Sequence, residues 1–145
     1  ENVGGYMKTA ETVEWDTPKK MVESLREEFG DFDLDPATHQ GNPTGAERFF
    51  TEKENGLVQP WIGGVVYVNP PYGRVILEWV KKALEEYEKG NAKKIIMLLP
   101  SRTCTRWFHL LYSRGDVEMR FIKGRLKYGD GSSPAPFPSM LVIIG

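Results

Sequence analysis

The chain has 145 residues, a formal net charge of −1 and 40% hydrophobic residues, enough to bury most of the apolar surface of one ordinary domain without staples. A lone cysteine, Cys104, excludes an internal disulfide and fits a reducing compartment, so a cytoplasmic setting is expected. No run of about 18 apolar residues is present to span a membrane, and no signal-peptide pattern opens the sequence.

The near-zero charge hides an asymmetry. Residues 1–60 carry 13 acids against 6 bases, while residues 101–127 carry 7 bases against 2 acids. A surface polarised in this way can meet a polyanion on one side only.

Residues 1–14 show no sustained periodicity and contain a Gly pair, which predicts a flexible N-terminal lead with Met7 as a candidate natural start. A single domain over 15–145 is expected after it. Trp15-Asp16-Thr17-Pro18 opens a helix, with Thr17 as N-cap, Pro18 at the first helical position and Met21, Val22, Leu25 and Phe29 as one apolar stripe ended by Gly30. The bland reading of this start is a cap and a staple. The functional one is that its exposed N–H groups receive a carboxylate.

Asp31-Phe32-Asp33-Leu34-Asp35-Pro36 alternates acidic and apolar residues, as a short strand ending at Asp35-Pro36 would. Asp33 and Asp35 then share a face, and a carboxylate at a strand's C-terminal end can hold an ammonium or a hydroxyl. The rival is a turn with solvated aspartates. His39 falls in a polar Gly/Pro loop with no second ligand at metal spacing, which predicts a loop histidine and no metal site. Between Pro36 and Gly64 there is too little chain for two further βαβ units; one short strand is expected around Phe49-Phe50.

Val65-Val66-Tyr67-Val68-Asn69-Pro70-Pro71-Tyr72-Gly73 is the stretch around which the chain is organised. A β-branched and aromatic run predicts a buried strand, and two prolines end it in a stiff tip. Ligands bind at the carboxyl ends of strands in an open parallel sheet. Here that end offers the Asn69 amide oxygen, the Pro70 carbonyl and the Tyr72 ring, groups suited to a flat, amino-bearing ring.

A helix over 74–89 follows, with Ile76, Leu77, Val80, Ala83, Leu84 and Tyr87 on its buried face, Glu78 paired with Lys82 four residues on, and Trp79 at the core edge. Residues 94–100 form a second buried strand. A helix containing Trp107, Phe108, Leu110 and Leu111 runs on to Gly115, with His109 packed against its neighbours. Residues 117–122 and 140–144 are the last strands, joined by a loop rich in Pro, Gly and Ser. The sum is a mostly parallel α/β sheet with an antiparallel edge strand, its switch point lying between the first strand and the central one. Asp35 and Asn69 are expected to point into the same crevice.

The exocyclic amine of a nucleobase is a poor nucleophile because its lone pair is delocalised into the ring. Two acceptors gripping both N–H bonds favour a pyramidal nitrogen and the positive charge it gains during attack. Asn69 Oδ1 and the Pro70 carbonyl make such a pair, with Tyr72 stacked on the ring. A duplex base must be flipped to reach them, and an activated methyl donor in line supplies the rest by proximity.

Ordered blocks over nearly the whole chain resemble phage-type DNA N-6-adenine methyltransferases of the Dam-like family. They are Trp15-Asp16-Thr17-Pro18, Phe32-Asp33-Leu34-Asp35-Pro36-Ala37, Phe50-Thr51 with Asn55-Gly56-Leu57 and Trp61, Asn69-Pro70-Pro71-Tyr72-Gly73, Leu99-Pro100-Ser101-Arg102-Thr103, Gly124-Arg125-Leu126-Lys127 and Ala135-Pro136-Phe137-Pro138-Ser139. The resemblance implies a compact class I (Rossmann-like) methyltransferase, S-adenosyl-L-methionine as donor, and DNA methylation in a bacterial or phage-infected cell, including restriction–modification. It implies that Asp16, Thr17, Pro18 and Asp35 belong to the donor site, where Asp33, Pro36 and Asn69 are also expected, and that Asn69, Pro70, Pro71 and Tyr72 form the target-adenine pocket. The glycine loop that follows the first strand in larger relatives is displaced, since Asp35-Pro36 leads to Ala-Thr-His-Gln before Gly41. The donor half is also shortened, so Glu52 and Asn55 stand in for the missing ribose- and adenine-binding acids.

Nucleic-acid contact is expected from Arg102, Arg106, Arg120, Lys123, Arg125 and Lys127, because phosphate binding needs several cations together. Two other readings fit the same residues. One is a methyltransferase acting on cytosine or on a glutamine amide. The other is a non-enzymatic nucleic-acid-binding module on a decayed methyltransferase scaffold.

Overall fold

A computed structural model describes residues 15–129, 131 and 133–145; the expected N-terminal lead lies outside them. The described elements are α1 (Lys19–Phe29), β1 (Leu34–Asp35), β2 (Arg48–Phe49), a 3-10 turn (Gly56–Val58), β3 (Gly63–Val68), α2 (Ile76–Glu88), β4 (Ala92–Pro100), α3 (Arg106–Tyr112), β5 (Val117–Phe121) and β6 (Ser139–Ile144). The six strands form one mixed sheet in the order β2-β1-β3-β4-β6-β5. Among the described residues no helix is long and apolar enough to cross a membrane.

Pairing is parallel from β2 through β1 and β3 to β4, with Leu34 beside both Arg48 and Val66, and Val68 beside Met97. It is antiparallel from β4 to β6 and from β6 to β5. The reversed strand is therefore β6, and it is interior, which corrects the expected antiparallel edge. The reason is visible in composition. Every residue of β6 is buried, as a strand covered on both sides requires, whereas β5 carries Glu118 and Arg120 and exposes Phe121 at the sheet's rim.

The short chain between Pro36 and Gly64 holds one short strand, β2, and no further βαβ unit, as expected. β1 reaches β2 by a loop over 36–47, and β2 reaches β3 by the 3-10 turn. α2 packs on β4 and α3. α1 lies against the sheet through Phe29, whose ring faces Lys94 and Arg120. The face that α2 buries is turned from the expected one: Trp79 and Glu86 are buried with Ile76, Val80 and Ala83, while Leu77, Leu84 and Tyr87 are only partly covered. Lys82 pairs with Glu86 at 3.0 Å, not with the exposed Glu78, because the Glu86 carboxylate is fixed inside by other donors.

The helix start differs too. Pro18, in extended conformation, occupies the N-cap position of α1 and no side chain caps it. Thr17 does not cap because its hydroxyl is drawn to Tyr67 and Asn69.

Candidate functional site

Two β-branched residues and a tyrosine bury the end of β3, and Pro70 and Pro71 prevent it from continuing. Gly73 turns the chain with φ of 102°, a value that side chains disfavour. Asn69, 2% exposed, is thereby fixed at the tip. Its Nδ2 donates to the Trp15 carbonyl at 2.9 Å and to Thr17 Oγ1 at 3.3 Å. Because the Trp15 carbonyl can only accept, the amide has one orientation, and its Oδ1 receives the Tyr72 hydroxyl at 3.3 Å. Thr17 Oγ1 also meets the Tyr67 hydroxyl at 2.7 Å. Burial pushes the phenols of Tyr67 and Tyr72 well up from their ordinary value, so both remain O–H groups.

Trp15, Tyr72, Tyr128 and Phe137 form a ring cluster in front of this tip. Tyr72 is edge-on to Trp15 at 5.4 Å and to Phe137 at 5.0 Å, and Trp15 stacks on Phe137 at 6.0 Å. Tyr72 was expected to offer an open stacking face; here it is 6% exposed among these rings. Tyr128 and Phe137 come from the segment between β5 and β6 that the sequence reads as a loop. Their signal was present as aromatics spaced through a Pro/Gly segment, and Tyr128 is anchored by Ser139 Oγ at 2.9 Å.

A pocket of about 270 Å³ opens between the tips of β1, β2 and β3. Pro36, Ala37, Thr51, Glu52, Asn55, Gly56, Leu57, Pro71, Val75 and Trp79 line it. Glu52, Asn55 and Pro36, expected together, are together. Asp35 and Asn69 do not line this space; the residues that follow them do. Asp35 is buried, its carboxylate accepting the Thr44 hydroxyl at 2.8 Å and the Ala37 N–H at 3.2 Å. Asp33 accepts the Val65 N–H at 2.9 Å and so ties β1 to β3, which places it on the sheet and not among the pocket residues.

One wall of the pocket is braced from beneath. The Trp61 indole donates to the Gly56 carbonyl at 2.8 Å and stacks on Trp79 at 6.0 Å, while its backbone N–H donates to Glu86 at 2.7 Å. A Cβ on Gly56 would lie 2.0 Å from the Pro36 carbonyl oxygen, so only glycine permits this approach. Burial works to raise the Glu86 carboxyl, but the Trp61 N–H, the Asn91 amide and the Lys82 ammonium outweigh it and hold the group below its ordinary value.

His39 lies in the loop between β1 and β2, as expected, and is buried there at 7% exposure. Its Nδ1 accepts the Gly41 N–H at 3.1 Å, which leaves Nε2 to carry the proton donated to the Asp16 carboxylate at 2.9 and 3.0 Å. Among the described residues no group of three or more His, Cys, Asp or Glu could hold a metal ion.

The basic set is divided. Arg120 is held by Glu28 at 2.7 and 2.6 Å and by Glu118 at 2.7 Å, over the Phe29 ring; these carboxylates make it a structural clamp and remove it from the expected phosphate contacts. Arg102, Arg106, Lys123, Arg125 and Lys127 are exposed and make no ion pair among the described residues. Sequence reasoning missed Arg74, directly after the Gly73 turn. It joins Arg102 in a second groove, of about 440 Å³, beside Tyr72.

This six-stranded α/β arrangement, with a polar carboxamide at a central strand tip beside a pocket, is compatible with a methyltransferase fold. The model of the DNA N-6-adenine-methyltransferase (Dam) family matches residues 5–143, and the chain belongs to that family. The match takes in residues 5–14, ahead of the first motif block. The chain is 38% identical over 95 residues to the DNA N-6-adenine-methyltransferase of Escherichia phage T1, an alignment covering 65% of this chain and 38% of that protein. It is 27% identical over 135 residues to the DNA N-6-adenine-methyltransferase of Haemophilus phage HP1 (strain HP1c1), covering 89% of this chain and 76% of that protein.

Proposed function

We propose that this chain is a class I methyltransferase that transfers a methyl group from S-adenosyl-L-methionine to the exocyclic N-6 amine of adenine in DNA, acting on an extruded or single-stranded base. The observation that carries the reading is the Asn69 carboxamide, whose nitrogen is held by Trp15 so that its oxygen is directed at the Tyr72 hydroxyl. Family membership and the names of the two phage relatives support it. The mixed six-stranded sheet with its three helices is compatible with such a fold.

The residues present fit the donor. The approach of Gly56 to Pro36 leaves a pocket walled by Leu57, Val75 and Trp79, apolar surface for a purine, with the polar side chains of Glu52 and Asn55 also in its lining, Asn55 Oδ1 accepting the Leu57 N–H at 3.1 Å. Asp16, oriented by His39, would take the amino-acid end together with the start of α1. The donor, when bound, supplies an electrophilic methyl group on a sulfonium.

The remaining chemistry is the chain's own. Asn69 Oδ1 and the Pro70 carbonyl accept the two N–H bonds of the target amine, opposing delocalisation of its lone pair; a preorganised acceptor of this kind contributes about 3 kcal/mol. The Tyr72 hydroxyl occupies that acceptor until the amine displaces it. Entry of a base also displaces part of the ring cluster around Tyr72. No general base is required, because the product ammonium sheds its proton readily.

The test is mass spectrometry of nucleosides from DNA incubated with the protein and isotopically labelled donor. Labelled N-6-methyladenine is the expected product. Label on cytosine or on protein glutamine would move the reading to those substrates, and no transfer to any acceptor would favour the binding module.

A further inference from the structure

We infer that the groove between the tips of β3 and β4 is a subsite for the nucleotide next to the target base in the same DNA strand, with Arg74 and Arg102 clamping its phosphodiester. The inference rests on the proposed adenine methylation and extends it. Four arginines elsewhere are engaged: Arg26 with Asp31, Arg48 with the Ile62 carbonyl, Arg114 with Glu88 and Asp116, and Arg120 with Glu28 and Glu118. Arg74 and Arg102 are exposed, make no such bond among the described residues, and lie in one groove. Guanidinium groups left without carboxylates, two to a site, have the charge and planar fork that a phosphate oxygen pair requires.

The rest of the groove argues for a nucleotide rather than an isolated phosphate. Its volume, about 440 Å³, lies within the range of small-molecule sites. Trp107 and Phe137 provide an apolar wall on which a base can lie. Position selects which nucleotide. Tyr72 lines this groove and also bonds Asn69, so whatever occupies the groove is separated from the amine-gripping oxygen by one side chain. The chain element that connects a phosphate there to a base at Asn69 is a single sugar–phosphate step. Arg74 is placed by Gly73 and Arg102 by the exit from β4, so the clamp is assembled from the two strand tips that flank the site.

The test uses a short DNA duplex carrying a sequence that the wild-type protein methylates, in versions with one neutral methylphosphonate at each linkage around the target adenine. Wild type is expected to show a raised KM for one linkage adjacent to the target, with kcat little changed. Arg74→Ala with Arg102→Ala is expected to show a raised KM on unmodified DNA, a salt slope reduced by about 2, and no further loss from that methylphosphonate. Arg74→Lys is expected to retain part of the sensitivity, since it keeps the charge without the fork. A wild-type protein that methylates DNA but is indifferent to every adjacent linkage, or a double variant that keeps the wild-type interference pattern, overturns the subsite alone. A wild-type protein that methylates no DNA overturns the parent reading, and the subsite with it.

Discussion

The Nε2–H of His39 donates to both carboxylate oxygens of Asp16, and Nδ1 of the same ring accepts the Gly41 N–H. A buried imidazole thus fixes a carboxylate of the motif assigned to the donor. A hydrogen bond to a charged group contributes about 1.5–3 kcal/mol. His39→Ala is expected to weaken S-adenosyl-L-methionine binding about tenfold or more, read by calorimetry, while far-ultraviolet circular dichroism stays native. Unchanged affinity would detach Asp16 from the donor site.

Asn69→Ala removes the amide oxygen at the tip of β3 without touching the walls of the 270 Å³ pocket. Donor affinity is expected to stay nearly unaltered, and kcat to fall about 10²–10³-fold, the usual loss for one preorganised polar contact in an active site. Turnover equal to wild type would remove the proposed role of the carboxamide. Some loss of stability accompanies the change, because the Trp15 carbonyl loses its donor.

Glu86 gives a pH prediction. Its folded value lies below the ordinary 4.5, so its stabilising effect is complete above that pH and fades as pH falls through the lower folded value. Glu86→Gln places an N–H₂ or a weaker acceptor against three donors and is expected to lower stability at pH 7 by about 1–3 kcal/mol. Denaturant titrations at several pH values should show the gap from wild type narrowing below pH 4.5. A gap that stays constant down to the acid transition would contradict the assignment.

One basic pair and one lone arginine, with opposite surroundings, separate structure from binding. Arg125→Ala with Lys127→Ala is expected to weaken DNA binding and lower the salt slope by about 2. Arg120→Ala is expected to leave that slope unaltered and to reduce thermal stability instead, because the guanidinium is engaged by Glu28 and Glu118. Fluorescence anisotropy across a salt series, beside thermal melts, distinguishes the two. A reduced slope for Arg120→Ala would return that residue to the DNA face.

Local chemistry was enough to read much of this chain. Fixed φ at Pro70 and Pro71 stops β3 wherever the rest of the chain goes, and the apolar runs of β3 and β4 permit only buried strands. The shortage of residues between Pro36 and Gly64 excluded two further βαβ units there, and the order of the motif blocks pointed to the family. What depends on contacts between distant segments was not legible. Thr17 has the chemistry of a helix cap, and only the proximity of Tyr67 and Asn69, about fifty residues on, diverts its hydroxyl. His39 reads as a plain loop histidine and Arg120 as a phosphate contact until Asp16 and Glu28 are brought to them. Phe137 looks like a loop residue until the antiparallel return into β6 lays it on Trp15. Backbone sterics and burial act along the chain and can be read from it; the partner of a polar or aromatic side chain is decided by which segments the sheet order brings within a few ångströms.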